Sequence, residues 1–189
     1  GFIGKIIRFC RENKIEYDFK DERRKLKEVS FLFNAQLLGH QQIVINAIEK
    51  KDLGIIVAPP GSGKTIVGLK IIADKKQPAL IITHRKQIAD QWIERIETFL
   101  GIPKNEIGKI GQGKTKIGKQ ITVAMIQSLS KELEKPDTGK ILNAFGTIIV
   151  DECHHIPAET FRNAISKLQT FYLYGLTATP FRKYNDSKL

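Results

Sequence analysis

Ile55-Ile56-Val57-Ala58-Pro59-Pro60-Gly61-Ser62-Gly63-Lys64-Thr65-Ile66-Val67-Gly68-Leu69 decides the fold of this chain. An apolar, β-branched run reads as a buried strand, a Pro/Gly turn succeeds it, and a helix-compatible stretch comes next. Gly61 and Gly63 let the backbone bend until its N–H groups converge on an anion, with Pro60 and Ser62 completing the loop. Lys64 can reach the outer phosphates of a nucleoside triphosphate, and Thr65 can place its hydroxyl on Mg²⁺. The helix that starts here turns its positive end toward the same anion. The strict pattern G-x-x-x-x-G-K-S/T asks for Gly where this chain has Ala58; the strand–loop–helix context outweighs that mismatch.

A second stretch, Gly108-Lys109-Ile110-Gly111-Gln112-Gly113-Lys114-Thr115, fits the strict pattern fully. The residues after it, through Gly118 and Ile121-Thr122-Val123, read as turn then strand. Without a helix start it lacks half of the anion-binding physics, so we read it as a false match. Five lysines against one Glu between 104 and 119 make it a basic loop, either solvated surface or a contact for a nucleic-acid backbone.

Around the first loop, strand and helix patterns alternate, as in a mainly parallel sheet between helices. Strands are expected at Gly54–Val57, Ala79–Thr83, Ile121–Ala124, Thr147–Val150 and Phe171–Gly175, most of them apolar enough to be buried on both faces. Helices are expected near 40–50, 65–75, 86–100, 126–134 and 158–168. Ile88, Trp92, Ile96 and Phe99 repeat at helical spacing and read as core. Residues 1–36 differ. A rough helical stripe ends near Asn13, and 15–19 and 29–33 alternate as two short strands, which reads as a small helix-plus-hairpin module. That module is either an extension packed on the main domain or a nucleic-acid-touching accessory.

Thr147-Ile148-Ile149-Val150 delivers Asp151 and Glu152 to the carboxyl end of a strand, where open α/β sheets bind ligands. Asp151 suits Mg²⁺, and Glu152 suits orienting or deprotonating a water. The net charge of +11 draws the protein to polyanions, nucleic acid ahead of an acidic membrane surface. No apolar run reaches the ~18–20 residues of a membrane span. No signal peptide is visible, and opening on Gly1 reads as a trimmed start. Cys10 and Cys153 are the only cysteines, which argues against a disulfide framework and for a reducing compartment. Cys153-His154-His155 lacks a second ligand pair at zinc spacing.

In their order, Gln41, Ala58–Thr65, Asp151-Glu152-Cys153-His154 and Thr177-Ala178-Thr179 resemble the first motor domain of superfamily 2 helicases and translocases, in its DExH group. The surroundings are most similar to the branch of xeroderma pigmentosum B-type DNA helicases and the type III restriction motor subunit. The resemblance covers roughly 36–182. It implies a RecA-like P-loop domain at 37–182 after the module at 1–36, with 183–189 starting a linker to a second motor domain. It implies ATP and Mg²⁺ as cofactors, with Lys64, Asp151, Glu152 and His154 catalytic and Thr65 and Asp151 on the metal. Gln41 would read adenine. Leu38 departs from the family pattern, where Arg is common. Arg85, Gln127 and Ser128 would face nucleic acid, DNA favoured over RNA, although Arg85 also suits an exposed helix start and Gln127 and Ser128 a helix cap. His154, Thr177 and Thr179 would couple strand binding to the nucleotide.

The expected activity is ATP-dependent DNA unwinding or translocation, with this domain alone nearly inactive. Alternatives are a duplex translocase without strand separation and, from another class, a P-loop small-molecule kinase. The setting implied is intracellular, cytoplasmic in a prokaryote or virus.

Overall fold

The computed structural model describes residues 2–18, 20–153, 156 and 158–179. The chain begins with α1 (Phe2–Glu12), and among the described residues no further helix or strand is formed before residue 39. It then alternates through α2 (Gly39–Ile48), β1 (Leu53–Val57), α3 (Lys64–Lys75), β2 (Ala79–Thr83) and α4 (Lys86–Leu100). A hairpin of β3 (Gly108–Gly111) and β4 (Lys114–Lys116) precedes β5 (Ile121–Met125), α5 (Ile126–Leu133) and the short α6 (Gly139–Leu142). The last elements are β6 (Thr147–Asp151), α7 (Ala158–Ile165) and β7 (Tyr172–Thr177). None of the described helices is long and apolar enough to cross a membrane.

The strands form one sheet in the order β1-β7-β6-β2-β5-β3-β4. Every pairing is parallel except β3 with β4. The registers Val57↔Thr177, Asp151↔Leu176 and Thr83↔Met125 bring the carboxyl ends into one row. All residues of β2 and β6 are buried, because helices cover both faces there. Ile81, Ile149 and Tyr174 join the face packed by Leu69, Trp92 and Ile96, while Leu80, Ile82 and Val150 join Leu129 and Ala164 on the other.

Two expectations need correction. β1 is not buried on both faces: it is an edge strand, and although Ile56 is buried, Leu53, Ile55 and Val57 are exposed among the described residues. The amino-terminal hairpin does not form either. The helix is present, but residues 20–36 run as a strap along the amino-terminal edge of the sheet. Arg24 N–H donates to the Gln169 carbonyl at 2.9 Å, Val29 N–H to Lys76 at 3.0 Å and Asn34 N–H to Phe99 at 2.8 Å. Gln120 Nε2 donates to the Ser30 carbonyl at 2.8 Å, and Phe31 and Phe33 pack on the core. The strap's backbone therefore finds its partners on the main domain and not in a second strand. The expected linker at 183–189 lies outside the described residues.

Candidate functional site

β1 ends at Val57, and the Ala58 N–H donates to the Thr177 carbonyl at 3.0 Å, fastening the start of the loop to the end of β7. Gly61 and Gly63 take φ of +78° and +81°, the left-handed region that side chains disfavour. Gly63 is doubly constrained, since a Cβ there would lie 2.2 Å from Gln41 Nε2. α3 begins at the next residue, Lys64, so the loop's backbone N–H groups and the helix start share one concavity. Ala58 does not have positive φ, which is why the departure from Gly is tolerated. Lys64 Nζ arches back over the loop, donating to the carbonyls of Ala58 at 3.0 Å and Pro59 at 3.2 Å.

Facing this loop is the end of β6. Asp151 is buried, and both carboxylate oxygens are held. Oδ2 accepts from the Trp92 indole N–H at 2.8 Å, and Oδ1 accepts from the Glu152 backbone N–H at 2.9 Å. Burial raises the Asp151 pKa above the ordinary carboxylate value; the Trp92 bond opposes that shift and the Glu152 charge adds to it. Glu152 has φ of +48°, a conformation that costs a non-glycine residue about 1–2 kcal/mol. This turn aims the strand end at the loop. Between them lies a cleft of about 520 Å³ lined by Pro60, Gly61, Gly63, Lys64 and Thr65 on one side and Asp151 and Glu152 on another. Gln91 and Arg95 of α4 also line it. A polyanion with a hard divalent cation fits this donor set: converging N–H groups and a lysine for phosphate oxygens, a hydroxyl and a carboxylate for Mg²⁺.

Gln41 sits in the first turn of α2 and is buried. Its Oε1 accepts from Leu38 N–H at 3.0 Å, and its Nε2 donates to the Ser62 carbonyl at 3.0 Å. A His40 ring nitrogen lies 3.1 Å from the same Ser62 oxygen. The amide therefore braces the loop at Pro60–Thr65, a role the sequence did not suggest, and has further capacity in its second N–H and remaining lone pair. At the end of β7, Thr177 Oγ1 donates to the Thr179 carbonyl at 2.9 Å, and Thr179 N–H lies 3.2 Å from Thr177 Oγ1. Thr177 thus touches the phosphate loop through its carbonyl and the following turn through its hydroxyl.

Arg85, Gln127 and Ser128 belong to the next columns of the same edge. Arg85 is exposed as the residue preceding α4, after β2. Gln127 is exposed and Ser128 half-buried in the first turn of α5, after β5. Pairing of Thr83 with Met125 sets these two turns side by side. His154 lies outside the described residues.

Trp92 is a site residue that its sequence pattern did not reveal. At 1% exposure it is core, as its spacing implied. Its N–H, however, fixes the buried carboxylate, and its ring packs where a Cβ on Gly68 would come within 2.8 Å. The one available signal was that a buried indole N–H needs an acceptor. Gly108–Thr115, in contrast, folds as the β3–β4 hairpin, so it is not a phosphate loop.

Residues 34–182 match the family model described as type III restriction enzyme, res subunit. A DNA 3′-5′ translocase, XPB2, of Sulfurisphaera tokodaii is 36% identical over 147 residues, covering 78% of this chain and 31% of that protein. A protein of Acanthamoeba polyphaga mimivirus named as an ATP-dependent RNA helicase is 33% identical over 150 residues, covering 77% and 28%. The chain thus spans about a quarter to a third of the length of the curated relatives it matches. Among solved structures, the UvsW helicase of bacteriophage T4 superposes with a TM-score of 0.67 at 18% identity, covering 95% of this chain and 71% of that one. That likeness establishes a shared fold.

Proposed function

This chain belongs to the family of the type III restriction enzyme, res subunit, and from that premise we propose that it is the ATP-hydrolysing motor domain of a DNA helicase or translocase. The observation that carries the reading is the cleft shared by the loop at Pro60–Thr65 and the Asp151–Glu152 turn. Loop N–H groups and Lys64 hold the β- and γ-phosphates, and the remaining capacity of Gln41 reads the base. Thr65 and Asp151 would hold Mg²⁺, which would supply positive charge to offset that of the phosphates. Trp92 and the Glu152 N–H keep the Asp151 carboxylate pointed at that position. Glu152 orients the attacking water, and His154 belongs to the same set by its place in the motif.

Coupling follows from connectivity. Strand contacts at Arg85, Gln127 and Ser128 sit on the turns after β2 and β5, and Thr177 links the turn after β7 to Ala58. On the resemblance, a second motor domain supplies arginines that complete the site, a contribution of about 10³–10⁵ in rate in related phosphoryl transfer. This domain alone therefore hydrolyses ATP slowly and does not unwind. An intracellular setting goes with this chemistry.

The test is ATP hydrolysis by the full-length protein with single-stranded DNA, duplex DNA or RNA added, beside Glu152→Gln. DNA stimulation that disappears in the variant is expected. Stimulation by RNA alone would move the protein to RNA. No stimulation by any nucleic acid would favour a P-loop kinase.

A further inference from the structure

We propose that Arg95 of α4 is a second cation of the nucleotide cleft and that it makes the cleft prefer a nucleoside triphosphate to the diphosphate. This rests on the function proposed above and adds a residue outside every motif quoted from the sequence.

α4 starts at Lys86, just past the carboxyl end of β2, and lies beside α3, its Trp92 ring packing against Gly68. Ile88, Gln91, Arg95 and Phe99 succeed one another at steps of three and four residues, so they share one helix face. All of them line the cleft that also holds Lys64 and Glu152. Trp92, on the adjoining face, bonds to Asp151 at 2.8 Å. Arg95 stands three residues further on, a neighbour of Trp92 on the helix surface. Long helical side chains lean toward the amino terminus of their helix. For α4 that direction leads to the carboxyl edge of the sheet, so the backbone directs Arg95 toward the phosphate loop.

The plain alternative is a solvated arginine on an exposed helix face, and the pairing around it argues against that. Asp90 pairs with Lys109 at 3.3 Å and Glu97 with Lys104 at 3.5 Å. Those carboxylates are engaged with lysines that do not line the cleft. The residues three and four positions from Arg95 are Gln91, Trp92, Thr98 and Phe99, none of them acidic. The helix therefore supplies no ion-pair partner at that spacing. Among the described residues no carboxylate lies within ion-pair distance of the guanidinium. It rests 5.8 Å from the centroid of the Phe99 ring, close to the limit of about 6 Å for a cation–π contact.

The other charged groups of the cleft have their tasks. Lys64 crosses the loop, Asp151 suits the metal and Glu152 the water. A guanidinium stays charged and offers a planar fork of donors, which matches phosphoryl oxygens. On the proposed chemistry the terminal phosphate is the one that the water at Glu152 attacks, and Arg95 shares the cleft with Glu152. A cation acting mainly on that phosphate strengthens the hold on the substrate and relaxes it once the phosphate has left.

The experiment is calorimetric titration of the full-length protein, in Mg²⁺, with ADP and with a non-hydrolysable ATP analogue. Wild type is compared with Arg95→Ala, Arg95→Lys, Lys64→Ala and Lys50→Ala, Lys50 being exposed and outside the cleft lining. Arg95→Ala should weaken the analogue about tenfold, the size of one hydrogen bond to a charged group, and ADP by less than about twofold. Arg95→Lys should recover part of that loss, because it keeps the charge without the fork. Lys50→Ala should match wild type with both ligands. The ratio of the two affinities is internal to each variant, so a smaller folded fraction would not change it. If Arg95→Ala leaves both affinities as in wild type, or lowers them equally, the proposal fails; with Lys64→Ala still losing both ligands, the motor reading stands. If wild type binds neither ligand, both fail.

Discussion

Ala58–Thr65 and Gly108–Thr115 spell nearly the same phosphate-loop pattern, and the less exact match is the one that forms the loop. Their glycines show why. Gly63 and Gly113 both take left-handed φ, +81° and +73°. A Cβ at Gly63 would strike the Gln41 amide, whereas nothing lies within 4 Å of the same point at Gly113. Thr65 lies in the first turn of α3, which buries Val67, Leu69, Ile71 and Ile72, while Thr115 lies exposed in a three-residue edge strand. At Gly108 and Gly118 the missing Cβ instead leaves room for neighbouring backbone: a Cβ there would lie 2.2 Å from Gly118 N and from Ile121 O respectively. The short pattern therefore describes what a chain can do; the helix behind it and the groups packed on it decide what it does.

The sharpest way to break the contrast is Lys64→Ala, which should abolish nucleotide-dependent turnover in the full-length protein. Survival of that turnover would dismiss the upstream loop. Gly63→Ala should lose nucleotide affinity as well as stability, because it meets both a forbidden φ and Gln41. Gly113→Ala meets only the φ penalty, about 1–2 kcal/mol, measurable by denaturant unfolding. Equal losses in the two would mean that Gln41 does not brace the loop.

Trp92→Phe removes the indole donor to Asp151 together with the outer ring atoms that pack against Gly68. A loss of about 1–3 kcal/mol at neutral pH is expected, with a raised Mg²⁺ requirement for nucleotide binding. Unchanged Mg²⁺ dependence would reduce Trp92 to core. Asp151→Asn tests the opposite sign. The folded-state pKa of Asp151 is raised, so its ionised form costs stability above that pKa, and the cost is relieved as pH falls through it toward the unfolded value. The Asn variant should melt higher than wild type at neutral pH, because it no longer carries a buried charge. That gain should vanish below about pH 4, where both states are protonated. A gain that persists there would assign it to something other than charge. The smallest effect is expected for Gln112→Asn, which suits the left-handed turn better and should stabilise the hairpin by a few tenths of a kcal/mol.

Most of the domain was legible because parallel strands buried between helices carry two distinct periods. β2, β6 and α4 stand where Ala79–Thr83, Thr147–Val150 and 86–100 placed them, β6 reaching one residue further. β3 and β4 were not legible, since Gly108-Lys109-Ile110-Gly111 and Lys114-Thr115-Lys116 carry almost no apolar alternation. The amino-terminal hairpin failed for a different reason. Val29, Phe31 and Phe33 do alternate against exposed Ser30 and Leu32, but an extended strap lying on a core alternates just as a strand does. Of the site, the loop and the Asp151–Glu152 turn are local and could be read. The Trp92–Asp151 bond and the Gln41–Ser62 bond join residues 59 and 21 positions apart, and only the folded sheet brings them together.

Trp92 is the only tryptophan, buried against the carboxylate assigned to the metal, so its fluorescence reports the central claim directly. ADP would be titrated into the protein with and without Mg²⁺, with calorimetry in parallel, for wild type and Lys64→Ala. A saturable change that needs Mg²⁺ and disappears in the variant is the predicted result. Saturation that is indifferent to both Mg²⁺ and Lys64, or no binding to the wild type by either method, would contradict it.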